Sequence, residues 1–61
     1  ADTSADVGDA LLLLGKALLA QGKKAEAEPL LKRALQCLTN GYGADHPTTL
    51  ETKKTLNAFN V

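Results

Sequence analysis

The residues of this chain that could do chemistry are few. Cys37 and His46 are the single cysteine and single histidine, with Asp45 beside the histidine. A structural zinc site needs four ligands, mostly Cys or His, and the chain has only one of each. Cys and His together could form a nucleophile and base, but the sequence supplies no third group to orient the pair and no sign of an enclosing pocket. Gly41-Tyr42-Gly43 is glycine-rich yet lacks the Lys-Ser/Thr that follows a phosphate-cradling loop. Glu26 and Glu28 read as a solvated helix face, Glu51 as a helix cap, Cys37 as a small apolar packing residue and His46 as fixing the loop before Pro47. These readings predict no enzyme activity, no metal and no cofactor.

Size and composition narrow the field further. Sixty-one residues are too few for a barrel, a dinucleotide-binding domain or an α/β hydrolase. Apolar residues make up 44% of the chain, and 12 Leu with 10 Ala supply most of them, a vocabulary of helices packed on helices. Seven basic residues balance seven acidic ones, so no net field exists to hold nucleic acid or an anionic membrane. Asp2, Asp6 and Asp9 crowd the start, where a helix N-terminus favours carboxylates. A lone cysteine cannot form an internal disulfide. The longest apolar run, Ala10 to Leu14, is far short of a membrane span, and the start does not resemble a signal peptide. The expected location is soluble, intracellular and cytoplasmic.

Residues 1–61 read as a single all-α unit: a helix at about 4–20, a helix at about 24–38, a loop at 39–47 and a helix at about 48–60. Thr3-Ser4-Ala5-Asp6 signals the first start. Val7, Leu11, Leu14 and Leu18 trace one stripe of that helix, with Leu12, Leu13 and Leu19 off it, so partners are expected on more than one side. Gly22 is placed to end the helix in a left-handed conformation. The second helix carries Ala27, Leu31, Ala34 and Leu38 as its buried stripe, with Leu30 and Leu35 alongside. Glu28 and Lys32 are spaced for an i,i+4 pair. Pro29 interrupts the helix without breaking its apolar spacing. Thr48-Thr49-Leu50-Glu51 fits a capping box for the third helix, whose stripe of Leu50, Lys53 or Lys54, Leu56 and Phe59 or Asn60 is weak.

The first two helices resemble a tetratricopeptide repeat, whose pattern is W-x₂-L-G-x₂-Y, A-x₃-F and a final P over 34 residues. Leu14-Gly15 and Ala27 match it as they stand; Leu11, Leu18 and Leu31 replace the three aromatics, and Thr39 stands in the Pro place. Gly15 and Ala27 lack bulk, so the two helix axes can approach closely. Ala20-Gln21-Gly22-Lys23, Glu26-Ala27-Glu28-Pro29-Leu30 and Gly43-Ala44-Asp45-His46-Pro47 are similar to the longer variant found in kinesin light chains, in which Pro29 is usual. Leu14 and Leu56 stand 42 residues apart, in keeping with it.

The resemblance implies one helical hairpin plus the first helix of the next, a fragment of a right-handed α-solenoid that binds proteins or peptides. Its first helix lines the inner groove, which puts Asp9, Leu12, Leu13, Lys16, Leu19 and Ala20 there. Leu12-Leu13 and Lys54-Thr55 occupy the places of an Asn pair frequent in the family, so hydrophobic contact is the expected mode rather than Asn clamping. Two other readings stand beside this one. In the first, Leu12, Leu13 and Leu19 are permanently covered by a neighbouring repeat or a second copy, as in a structural subunit or tether. In the second, the chain is a regulatory appendage of an enzyme or receptor.

Overall fold

The computed structural model describes residues 4–60, and the expectations on Asp2, Thr3 and Val61 lie outside them. Three helices follow one another: α1 (Ala5–Ala20), α2 (Lys24–Gly41) and α3 (Pro47–Asn57), the last running into a 3₁₀ turn at Ala58–Asn60. The described residues contain helices and turns only.

α1 begins where a β-region Ser4 offers its hydroxyl to the Val7 N–H at 3.4 Å, a long cap bond. It ends in a Schellman turn. The Lys23 N–H reaches the Leu18 carbonyl at 2.8 Å and the Gly22 N–H the Leu19 carbonyl at 3.0 Å, with Gly22 at φ +78°. This turn sends α2 back along α1 after only three residues.

α2 runs three residues past the expected end at Leu38. Thr39 stands in the Pro place of the pattern that the first two helices resemble, and threonine can stay helical: its hydroxyl donates to the Leu35 carbonyl at 2.7 Å. Asn40 and Gly41 therefore belong to the helix, and Gly43, at φ +105°, makes the turn. The Gly43 N–H caps the Thr39 carbonyl at 3.1 Å. Pro29 lies within α2 and the helix continues through it.

Ala27, Leu31, Ala34 and Leu38 are completely buried, as their spacing predicted, and with Leu12 they form the core. Each such leucine removed from water contributes about 1.5–3 kcal/mol. The α1 stripe is corrected in part. Leu11 and Leu18 pack against the core as expected, but Leu14 is 49% exposed, and the buried residues of α1 are Gly8, Leu12 and Gly15. A Cβ on Gly15 would stand 2.6 Å from Leu31 Cδ2, and one on Gly8 2.9 Å from Leu38 Cγ. The tightest part of the interface is thus marked by missing side chains, which a search for leucine spacing passes over.

α3 keeps the end of its expected stripe and departs from it at the start. Thr49 and Thr52 are buried, Leu56 and Phe59 pack against the core, and Leu50 is 48% exposed. Thr52 is tolerated there because it returns its hydroxyl to the Thr48 carbonyl at 2.9 Å, as the less buried Thr55 does to the Glu51 carbonyl at 2.9 Å. The expected capping box does not form. Pro47 is the first helical residue and His46 is the cap, its Nδ1 accepting from the Thr48 N–H at 3.1 Å.

Candidate functional site

On a 3.6-residue helix, Leu19, Leu12, Lys16, Asp9, Ala20 and Leu13 span one continuous arc of α1, in that order around the axis. The arc is graded. Leu12 is 7% exposed and belongs to the core, so it is corrected from a groove residue to a packing residue. Leu19 is half-buried and packs on the same core. Asp9, Lys16 and Ala20 are exposed, and Leu13 is the most open of the large apolar side chains at 71%.

Two tertiary contacts hold the polar members of this arc. The Tyr42 hydroxyl donates to Asp9 Oδ2 at 2.6 Å. The Tyr42 ring in turn stacks on His46, with centroids 4.3 Å apart. That hydrogen bond, then desolvation and the charges of Asp9 and Asp6, hold the phenol pKa above its ordinary value. Lys16 pairs with Glu51 of α3. Both ends of that pair are about half exposed, so its worth is orientation more than stability.

The cross-links join the start of α1 to the end of α2 and the middle of α1 to α3. Residues separated by 33 and 35 positions make these bonds, and nothing in local spacing announces them. Tyr42, His46 and Glu51 therefore border the candidate arc in a way that periodicity could not find. The one available signal was the aromatic placed beside a turn.

α3 is parallel to α1 and antiparallel to α2. Its start is tied to the end of α2 through Tyr42 and His46, and its end returns to the start of α2, where Lys24 Nζ stands 5.2 Å from the Phe59 ring centroid. Its outer side is an open depression bordered by Pro47, Leu50, Glu51, Lys53, Lys54 and Asn57.

A short antiparallel hairpin closed over small residues, followed by a third helix lying parallel to the first, is the geometry of a stacked helical repeat. The sequence profile of the tetratricopeptide repeat family matches residues 7–48. The chain belongs to the tetratricopeptide repeat family. Comparison with curated proteins and with solved structures gave no match. Tetratricopeptide repeats generally mediate protein–protein interaction and are typically non-catalytic. Among the described residues, no helix is long and apolar enough to cross a membrane.

Proposed function

We propose that this tetratricopeptide repeat binds a protein or peptide partner along the exposed arc of α1. The observation that carries the reading is the arc itself. Leu13 stands open beside Asp9 and Lys16, two opposite charges each tethered by a neighbouring element. A partner would gain apolar contact from Leu13 and find two charges already oriented, which lowers the entropy lost on binding. The module works within the cell, most simply in the cytoplasm, as one part of a protein complex.

A second reading has its own support. Leu13 and Leu14 adjoin on α1 and are both exposed, a patch of the sort that repeats cover by stacking. In that case the chain is a structural element or tether whose apolar face is covered by a neighbouring repeat or another copy.

Display of a peptide library on the immobilised chain separates the two. Groove binding predicts enriched sequences whose capture falls at least tenfold in Leu13→Asp and in Lys16→Glu. Enrichment that both variants leave unchanged contradicts it. Leu12→Asp is unsuited to this test because a core carboxylate would unfold the hairpin.

A further inference from the structure

In the 42-residue register that sets Leu56 on Leu14, α1 and α3 are one element met twice. Val7 then falls on Thr49, Ala10 on Thr52 and Asp9 on Glu51. On α3, Thr49 and Thr52 are buried, Leu56 packs against the core and Glu51 pairs with Lys16. On α1, the matching Ala10 and Leu14 are exposed and Val7 is only partly covered. α1 thus carries the docking face of α3, and none of the described residues is seated on it. Its version is also the more apolar. Thr49 buries a hydroxyl that has no hydrogen-bond partner among the described residues, and the residue matching it is a valine.

We propose that α1 of a second copy docks in the place α3 occupies, displacing α3, so that the chain associates head to tail. The occupant follows from the seat. The seat already accepts a helix with two threonines and a leucine at these positions, and α1 offers a valine, an alanine and a leucine there. Charge is conserved as well, because the incoming Asp9 arrives where Glu51 stands, opposite Lys16 of the receiving copy. Space is available for the rest of the incoming hairpin. Its α2 lies on its α1 at Gly8 and Gly15, which in register are Leu50 and Asn57, on the side of α3 that is an open depression. Two contacts are lost: Ala17 matches Phe59, so the packing of that ring on the core and beside Lys24 is not reproduced, and Ser4 matches His46, so the ring stacked on Tyr42 is not replaced. The exchange therefore works against these losses and is governed by concentration.

The donating and receiving faces are different surfaces of one chain, so the contact is heterologous and not a symmetric pairing. A copy that has accepted one α1 still offers its own. The inference rests on the reading that the apolar face of α1 requires cover, and not on the peptide groove.

Sedimentation velocity of the 61-residue chain across micromolar to millimolar concentration tests it, with far-UV circular dichroism as a check on folding. The expected result is a weight-average mass that grows past the dimer. Leu14→Glu, at an exposed site, is expected to remain folded and monomeric while keeping any peptide capture, which separates failure here from failure of the groove. Leu56→Ala loosens α3 and is expected to lower the concentration of half-association at least threefold. A wild-type chain that is monomeric throughout overturns the proposal. So does a dimer that grows no further and ignores Leu56→Ala, which would signal symmetric pairing through α1, and so does association that persists in Leu14→Glu.

Discussion

Thr49 illustrates how α3 is held with less than the best residue at its centre. A buried hydroxyl without a partner costs the desolvation of that group, about 1–3 kcal/mol, whereas a methyl of the same shape costs nothing comparable. Thr49→Val is expected to raise stability by about 1 kcal/mol, read as a higher urea midpoint at unchanged slope. Tyr42 gives a pH-dependent prediction. Its folded pKa is raised, first by the hydrogen bond to Asp9, so its contribution is complete below the unfolded phenol value of about 10. That contribution fades as pH climbs through the higher folded value. Tyrosinate absorbance should therefore titrate above the ordinary phenol range, and Asp9→Asn should bring it back down; an unmoved titration would mean the bond is not kept in solution. These two residues were opaque in the sequence for different reasons. A threonine in a polar run carries no sign of burial, and the partner of Tyr42 lies 33 residues away.

Local rules work best for helices whose one-sided pattern leaves a single solution. Ala27, Leu31, Ala34 and Leu38 could be read directly because Glu26, Glu28, Lys32, Arg33 and Gln36 mark the wet side of α2. Gly22 could be placed as the turn because only a left-handed residue suits that position. α1 resisted the same treatment. Leucine or alanine occupies most of its circumference, so several stripes fit equally well, and the glycines that select the true one contribute no hydrophobicity. Gly15→Ala tests that account. A helix interior gains up to ~1 kcal/mol from alanine, but the added Cβ would stand 2.6 Å from Leu31 Cδ2 and 2.8 Å from its Cγ in a fully buried cluster. The clash should win, with a net loss of about 1–3 kcal/mol in chemical unfolding. A stabilised Gly15→Ala variant would show that the α1–α2 contact is looser than described. The end of α2 was misplaced because Asn40 and Gly41 are turn residues by composition. Thr39, standing where proline would stop the helix, lets them continue it.

For the molecule as a whole, the exposed leucines of α1 set the functional readings: Leu13 serves the groove and Leu14 the face that seeks cover. A hairpin that stacks on others cannot bury both sides of its first helix by itself, and here one side meets α2 while the other is open. The sequence announced two-sided burial through leucines off the main stripe, though it did not say which leucines were left uncovered. The most direct test of external cover is the urea midpoint of the 61-residue chain as its own concentration is raised. Association that stabilises only the folded state must raise stability, by up to about 1.4 kcal/mol for each tenfold step once association is tight. The account predicts a midpoint that climbs with concentration in the wild type and stays fixed in Leu14→Glu. A cooperative wild-type transition whose midpoint ignores concentration would contradict it, because the chain would then be folded and complete with its leucines in water.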